Sequence, residues 1–370
     1  MEIVPVTTRA QRRQFVELPY KLYAGHSHWV PPLRRDEHRR LSPDTNAFLA
    51  HATMDLWLST ANGRVTGRIA AIDDRLHNEA HREQVTWFGF FEAENAATAA
   101  GLFAAVEARA RDRGSRVLRG PVNPSLNETA GLLIDNFDDD PSVLMPYNPP
   151  AYQGFVEAAG CVKVKDLLAW EIDLRRGLPD RLTKLAARVT RKPGLVVRRL
   201  DLRQFDRDLA IVQAIYREAW KDNWGFVAPT DAEIRQLAVE MKPVLDPDLI
   251  VFVELEGRPV ACAVSIPDLN QVLKRMRGNL LPFGLFHFLR RRSIIRRARM
   301  LILGVMPDVR RLGLYPLLIA ESFRSGQSLG YTRGELSWTL EDNDLINRGI
   351  EAAGGRRYKT YRLYEKALVR

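Results

Sequence analysis

The stretch that decides the fold of this chain is Val305-Met306-Pro307-Asp308-Val309-Arg310-Arg311-Leu312-Gly313-Leu314-Tyr315. An apolar run from Met300 precedes it, and apolar residues follow at helical spacing: Leu314, Leu317, Leu318, Ile319 and Phe323. The predicted order is therefore strand, turn, helix. A turn of this kind presents unpaired N–H groups and the positive end of the helix dipole, and Gly313 lets a ligand approach the backbone closely. The sequence predicts a site for a pyrophosphate here.

The same residues resemble the acyl-CoA signature of the GNAT acyltransferase superfamily, Val-x-Pro-x-x-Arg-x-x-Gly-x-Gly/Ala, from which Tyr315 departs at the last position. The resemblance implies that acyl-CoA is the cosubstrate, with its pyrophosphate on the turn. The pantetheine amides are expected to pair with the preceding strand as an added strand would. The residues expected to bind acyl-CoA in this way are Leu303, Gly304, Val305, Arg310, Arg311, Leu312, Gly313, Leu314 and Tyr315.

The sequence that follows the helix agrees with this reading. Residues 335–340 alternate like a strand, Asp342-Asn343-Asp344 supplies helix caps, and Gly354-Gly355 ends the next helix before a final strand at 357–364. This order is similar to the C-terminal half of GNAT proteins, where an Asn commonly helps to hold the pantetheine arm. The resemblance assigns that part to Asn343.

The first half of the chain repeats the second at low identity. Gly63-Arg64 corresponds to Gly257-Arg258, and the block Glu157 to Gly160 corresponds to Glu351 to Gly354. Each half also reads as strand, helix, hairpin, long helix, strand, short helix and strand. The fold class expected is α/β, with two tandem GNAT-like domains, each a mixed central sheet flanked by helices. Residues 1–177 and 195–370 are the expected domains, and the polar, basic segment 178–194 is the expected linker.

The two halves differ where the ligand would bind. In the first half, Glu92-Ala93-Glu94-Asn95 precedes the long helix, so carboxylates stand where a pyrophosphate needs positive charge. We therefore expect CoA to bind only the second half. The first half has polar, Pro-rich loops at 123–128 and 145–150, which are either plain connectors or substrate-binding loops. The residues expected to line an acceptor pocket are Asn127, Glu128, Tyr147 and Asn148.

An insertion at 269–299 is basic and partly apolar. It has no Asp or Glu, and its Lys and Arg residues nearly account for the formal net charge of +10. Between the charges lies an apolar run, 280–289, that is too short to span a bilayer. Three readings stay open: a helical pair packed on the domain, an anchor on anionic lipid, and a nucleic-acid surface. The anchor reading assigns membrane contact to Phe283, Phe286, Arg290, Arg291 and Arg292; the absence of a nucleic-acid signature argues against the third reading.

Other features bound the class of protein. Cys161 and Cys262 form no Cys-x-x-Cys motif, so neither a disulfide framework nor a metal site is expected, and a reducing compartment is the default. The first residues include Glu2 and no apolar run, which predicts no signal peptide. We therefore expect a cytoplasmic protein, peripheral at the inner membrane face if the insertion is an anchor. The sequence does not indicate an oligomeric state.

Acyl transfer to an amine needs a base, an acid and an oxyanion donor. With CoA on the turn, the Val305 N–H could stabilise the oxyanion. Many GNAT enzymes carry a Tyr four residues before the Gly that ends the last helix, but this chain has Ile350 there. Tyr358, Tyr361 and Tyr364 on the following strand could replace it. Of these, Tyr361 is the candidate acid, and Glu335 and Asp268 are the candidate bases.

Two blocks, Pro146-Tyr147-Asn148-Pro149-Pro150 and Glu335-Leu336-Ser337-Trp338, make the whole chain resemble a bacterial family of double-GNAT proteins. Among GNAT-like enzymes that act on lipid amines, the bacterial ceramide synthases come closest to a thioester site with a membrane-seeking insertion. The hypothesis is therefore an acyl-CoA-dependent N-acyltransferase acting on a lipid-like, sphingoid-type amine. Three alternatives remain: a soluble N-acetyltransferase, a Fem-like aminoacyl transferase using tRNA, and a non-catalytic acyl-CoA or lipid sensor.

Overall fold

A computed structural model describes residues 1–281 and 284–368. The chain forms two compact units that interleave along the sequence. The first unit comprises Met1–Leu167, Val272–Leu289 and Lys359–Arg370, and the second comprises Leu168–Gln271 and Arg290–Tyr358. Each unit therefore draws on distant parts of the chain.

The elements up to residue 173 belong mainly to the first unit. Its strands are β1 (Glu2–Pro5), β2 (Ala52–Ala61), β3 (Arg64–Asp74), β4 (Val85–Ala93), β5 (Val117–Gly120), β6 (Val122–Asn123), β7 (Thr129–Ala130) and β8 (Leu132–Leu133), and β9 (Val162–Asp173) passes from the first unit into the second. Its helices are α1 (Arg9–Leu22), α2 (Arg34–Arg40), α3 (Arg75–His81), α4 (Ala96–Asp112) and α5 (Ala151–Ala158).

The later elements belong mainly to the second unit. The helices are α6 (Asp180–Thr190), α7 (Phe205–Trp220), α8 (Asp231–Met241), α9 (Asn270–Met276), α10 (Gly284–Leu289), α11 (Arg291–Ile294), α12 (Leu314–Ser328) and α13 (Asp344–Ala352). The strands are β10 (Leu195–Arg199), β11 (Ile250–Leu255), β12 (Arg258–Pro267), β13 (Arg297–Val305), β14 (Arg333–Leu340) and β15 (Arg356–Ala367). Most of α9, all of α10 and most of β15 lie in the first unit.

The two units share one sheet plan. In the first, β1 to β4 pair antiparallel in order and β4 then pairs parallel with β5. In the second, β10 to β13 pair antiparallel in order and β13 pairs parallel with β14. Both tight hairpins have two successive residues with positive φ, Asn62-Gly63 and Glu256-Gly257, as a type I′ turn requires. The predicted repeat of a mixed sheet flanked by helices is confirmed.

Each unit has its own hydrophobic core. In both, the core packs against the long helix that follows the fourth strand of that unit's sheet. In the first unit, α4 buries Leu102, Phe103 and Val106 against residues of β3 and β4. In the second, α12 buries Leu314, Leu317 and Leu318 against residues of β11, β12 and β13. Apolar side chains at helical spacing fix these helices to one face of their sheets.

The segment expected to be a linker, 178–194, instead contains α6, and the second unit begins near Leu168. The helix follows Pro179 and buries Leu182, Ala186 and Val189, which recur at four- and three-residue spacing. Ala186 and Val189 join the core beneath α12. The polar composition of the segment concealed this narrow apolar stripe, and the helix is part of the second unit.

If α6 is a packed helix, its two kinds of leucine should differ in their effect on stability. Leu182→Ala should lower the free energy of unfolding by about 2–3 kcal/mol, because a buried leucine is lost. Leu185→Ala, a matched change at a side chain that is 41% exposed, should change it by no more than about 0.5 kcal/mol. Urea unfolding measures both values, and equal effects would show that the segment behaves as a loose linker.

Candidate functional site

The site begins where β13 and β14 separate. The two strands pair in parallel from Arg297 with Arg333 to Met300 with Leu336. β13 continues to Val305 and β14 to Leu340, but within the described residues their register goes no further. Leu301 has no partner on β12, so a bulge lies at the point of separation. The bulge and the separation leave part of the facing edge of β13 without a strand partner.

The N–H groups at this edge have a defined direction. Met306 N donates to Val260 O at 2.9 Å, which turns that N–H toward β12. Because successive N–H groups of a strand point to opposite edges, the N–H groups of Val305 and Leu303 point away from β12. They therefore point toward the side on which an extended ligand would pair, where Leu303 is half-buried and Val305 is buried.

The turn after β13 has the predicted form. Pro307–Leu312 makes a 3-10 turn, and Gly313, with φ +77°, stands at the N-cap of α12. No side chain among the described residues caps this helix end, so its first N–H groups remain available. Arg310 and Arg311 are both exposed, and Arg310 reaches Ala219 O at 3.4 Å. The turn can therefore receive an anion.

The remaining acyl-CoA candidates fall into two groups. Leu303, Leu312 and Tyr315 are half-buried, and burial raises the pKa of Tyr315. Gly304, Val305 and Leu314 are buried, and Val305 and Leu314 have no exposed surface. Gly304 also allows close helix packing, because a Cβ there would lie 2.8 Å from Ile215 Cγ2 on α7.

Asn343 occupies the predicted cap of α13. Its side-chain oxygen accepts from Ile346 N at 3.4 Å. The cap gives this side chain a structural role that does not depend on a ligand. Its assignment to the pantetheine arm stays a prediction.

Buried charges lie beside the point where the strands separate. Arg299 Nε is 3.3 Å from Glu335 Oε2, and these two residues are opposite each other on the last rung but one. Tyr358 OH lies 3.3 Å from Glu335 Oε1. Glu335 is 1% exposed, and burial raises the pKa of its carboxyl even though the Arg299 guanidinium lowers it. A buried carboxyl with a raised pKa suits a general base.

Asp268, the other candidate base, lies in a second buried ion pair. Arg297 Nε donates to Asp268 Oδ2 at 2.6 Å, and the carboxylate also accepts from Asn270 N at 3.2 Å. Both side chains are at most 5% exposed. The Asp268–Arg297 pair therefore lies at the C-terminal end of β12. Arg297 is two residues further along β13 from the separation than Arg299, the partner of Glu335.

The structure places the candidate tyrosines differently. Tyr361 is fully buried in the part of β15 that belongs to the first unit, opposite Leu133 of β8. Tyr358 belongs to the second unit and contacts Glu335. Because they are three residues apart on a strand, the two side chains point to opposite faces. Sequence reasoning named Tyr358 only as a substitute for the absent helix Tyr, and the partner that identifies it is remote in sequence.

In the first unit, the corresponding separation is filled by the chain itself. β4 and β5 pair only from Val85 with Val117 to Trp87 with Arg119. Phe90 N then donates to Asn123 Oδ1 at 2.5 Å, and a Cβ on Gly89 would collide with Val122 O. Here Asn95 caps α4, accepting from Thr98 N at 3.0 Å. The strand edge and the helix start, which stay open in the second unit, are thus occupied in the first by Asn123 and by Asn95.

The four residues expected to line an acceptor pocket differ in exposure. Asn148 is buried and bonds Leu133 through both its amide oxygen, at 2.7 Å, and its amide nitrogen, at 3.1 Å, so it acts as structural support. Tyr147 is half-buried against the ring of Tyr23. Asn127 is exposed, and Glu128 lies 3.7 Å from Arg40. Tyr147, Asn127 and Glu128 keep surface available for a ligand.

The insertion is less uniformly basic at its surface than its composition predicted. Arg297 and Arg299 are buried in the ion pairs with Asp268 and Glu335, because β13 begins at Arg297 and carries both inward. Arg290 and Arg292 are exposed and Arg291 is half-buried. Phe286 is 56% exposed, while Phe283 lies outside the described residues. No helix in the part of the chain that the structure describes is long and apolar enough to cross a membrane.

Two known proteins are similar to this chain over almost its full length. No family model matches the sequence. The chain is 37% identical over 376 residues to the bacterial ceramide synthase of Caulobacter vibrioides (strain NA1000 / CB15N), covering 100% of this chain and 98% of that protein. It is 32% identical over 366 residues to Protein YghO of Escherichia coli (strain K12), covering 96% and 93%.

Solved structures resemble the fold at low identity. A tandem GNAT protein from the clavulanic acid biosynthesis pathway superposes with a TM-score of 0.60 at 13% identity, covering 100% of this chain and 99% of that one. A GCN5-related N-acetyltransferase from Sphaerobacter thermophilus gives 0.54 at 13% identity, covering 100% and 96%. Since the fold is that of tandem GNAT proteins and the identity to the synthase extends over the full length, this chain belongs to the bacterial ceramide synthase family and is a GNAT-type acyltransferase that acts on an amine.

Proposed function

We propose that this enzyme transfers a long acyl chain from acyl-CoA to the amine of a sphingoid-type base at an anionic membrane surface, releasing an amide and CoA. The observation that carries the proposal is the open separation of β13 and β14 beside the uncapped start of α12. The acceptor class comes from the printed name of the Caulobacter relative. Among the residues that the structure describes, the second unit combines the open edge with the basic turn and the first unit does not.

The turn and the strand edge suit different parts of acyl-CoA. The N–H groups at Gly313 and the guanidinium groups of Arg310 and Arg311 match the charge of a pyrophosphate. The edge N–H groups of Leu303 and Val305 match the amide carbonyls of pantetheine or the thioester carbonyl. This direction along β13 would bring the thioester toward the point of separation.

The lining of the separation favours an apolar acyl group. Met300, Leu301, Ile302 and Leu303 are all half-buried, although they lie in an inner strand of the sheet of this unit. Leu336 and Trp338 on β14 are half-buried as well. Apolar side chains left partly accessible in this way gain free energy when a hydrocarbon chain covers them.

The reaction forms a nitrogen–carbon bond and breaks the carbon–sulfur bond of the thioester. The amine loses a proton as it attacks, and Glu335, beside the separation, would accept it. Of the two edge N–H groups, that of Leu303 lies nearer the separation than that of Val305, the sequence-based candidate, and would donate to the oxyanion that develops on the carbonyl. The departing thiolate takes up a proton, for which Tyr361 is the sequence-based candidate and Tyr358, whose OH lies 3.3 Å from Glu335 Oε1, a second candidate.

A change at Gly313 tests the anion site. Gly313→Glu should weaken CoA binding at least about 30-fold, equivalent to about 2 kcal/mol, because it adds a negative charge and bulk at the helix start. Gly330→Glu is the matched control, since Gly330 has nearly the same φ, +80°, but lies past the other end of α12. Titration calorimetry measures both affinities. Equal affinities in the two variants would refute a pyrophosphate site on this turn.

A change at Glu335 tests the base. Glu335→Gln should lower kcat about 100-fold with CoA affinity nearly unchanged. A base works when ionised, and burial raises the pKa of this carboxyl, so the rate should rise with pH through a value above the usual 4.5. The Gln variant should lose that limb of the pH profile.

Asp268→Asn separates catalysis from stability. It leaves Arg297 without its buried counterion, so it should lower the melting temperature while keeping the pH limb. Thermal unfolding followed by circular dichroism gives the first value, and pH-dependent kinetics gives the second. If Asp268→Asn removes the limb and Glu335→Gln keeps it, the roles are reversed.

The acceptor is tested by following CoA release. With a long-chain acyl-CoA, free thiol should appear rapidly with a sphingoid base and slowly with small polar amines, because only the former offers an apolar chain to bury. Mass spectrometry of the product should show the amide. Faster release with small amines would favour a soluble N-acetyltransferase, and tight binding without turnover would favour a sensor.

A further inference from the structure

The insertion is joined by hydrogen bonds to the N-terminal part of the first unit. Arg34 N, at the start of α2, donates to Gly278 O at 3.2 Å, and its guanidinium reaches Arg277 O and Asn279 Oδ1, both at 3.4 Å. The packing is close, because a Cβ on Gly278 would lie 2.6 Å from Tyr20 Cε1. Residues 277–279 and the start of α2 therefore form one piece of surface.

A second set of contacts is made by Lys274, within α9. Lys274 Nζ bonds both carboxylate oxygens of Asp140, at 2.5 and 2.7 Å. His28 Nδ1 lies 2.9 Å from the same carboxylate. The loop that carries His28 joins α1 to α2. The first set of contacts thus connects the insertion to α2 directly, and the second connects it to Asp140, whose carboxylate also contacts the loop between α1 and α2.

This surface carries apolar side chains that water would not favour. Three are more than half exposed: Leu281 at 69%, Phe286 at 56% and Leu289 at 68%. Leu280 and Leu285 are also exposed. A group of this size on a well-fastened segment is typical of an interaction site.

Basic and aromatic residues lie on the insertion and on the elements that contact it. Arg275 and Arg277 are exposed on the insertion, and Arg35 is exposed on α2, next to the residue that holds Gly278. Trp29 is half-buried, stacked on Tyr23 at 5.0 Å and edge-on to Tyr20 at 5.2 Å. Positive charge and amphipathic rings around an apolar group are the composition of surfaces that rest in the headgroup region of a bilayer.

We infer that α2 and the loop carrying Trp29 form, together with residues 272–281 and 284–289, one surface that binds an anionic lipid bilayer. The inference rests on the membrane location in the proposed function and extends it from the insertion to the N-terminal region. Arg35 supplies attraction to anionic headgroups, while the leucines and Phe286 enter the acyl boundary. The fastenings at Arg34 and Lys274 hold these parts in a fixed arrangement.

The test is cosedimentation with vesicles of phosphatidylglycerol and phosphatidylcholine. Arg35→Glu should lower the partition coefficient about tenfold at low salt, and the loss should shrink as salt is raised, since the charge is screened. Arg116→Glu is the matched control, because it makes the same charge change at an exposed arginine outside α2 and the insertion. Its partition should stay within about twofold of the parent.

A variant of the apolar group separates two kinds of failure. Phe286→Ser with Leu289→Ser should abolish binding at every salt concentration, because these side chains supply the apolar contact. If these serine variants fail to bind while Arg35→Glu matches Arg116→Glu, the insertion is an anchor without α2 and the inference is wrong. If the serine variants bind as the parent does, the membrane location in the proposed function fails as well. CoA affinity, measured in parallel, should be the same in all these variants and shows that they are folded.

Discussion

The parallel pairing of β13 with β14 ends after Met300 and Leu336, and the candidate site depends on that ending. Two parallel strands that stayed paired would consume the N–H groups of β13 in the sheet. Separation frees the edge near Leu303 and Val305, and the bulge at Leu301 lies where the separation starts. A ligand that paired with this edge would restore hydrogen bonds that the sheet gives up, as an extended chain with amide groups can.

The buried ion pairs are the counterpart of this open edge. Arg297 with Asp268 and Arg299 with Glu335 lie on the rungs that remain paired. Moving charged groups from water into the protein interior costs free energy. Buried ion pairs of this kind therefore add little net stability. Their value lies in fixing side chains at one position, and the Arg299–Glu335 pair has that effect beside the point where the thioester would lie.

The first unit shows what the same plan becomes when the edge is closed. Its strands follow the same order of pairings, but Asn123 and Val122 occupy the space beyond Trp87. Asn95 caps its long helix, whereas the corresponding helix in the second unit begins at Gly313. The two halves thus share one pattern of strand pairing and differ in whether the chain itself fills the strand edge and caps the long helix.

Local patterns carried most of what the sequence could predict. The strand, turn and helix around Gly313 follow from apolar spacing and a glycine, and both hairpins follow from paired residues that accept positive φ. The run of arginines was harder, because Arg297 and Arg299 have partners far away in sequence and a charge run usually marks a solvated surface. The sequence pattern did not predict the helix α6, because its buried stripe is only one side chain wide. Long-range pairing, which local patterns do not encode, decided the rest.

The interleaving of the units has a consequence for how this chain is made. The first unit needs Val272–Leu289 and Lys359–Arg370, so it lacks part of β15 until synthesis has passed the second unit. Domains of multidomain chains generally fold in order from the N-terminus as they leave the ribosome. Here the earlier unit must wait with an unpaired edge at β5, whose partner Tyr364 arrives late. An incomplete strand edge of this kind is open to wrong partners for as long as synthesis of the second unit continues.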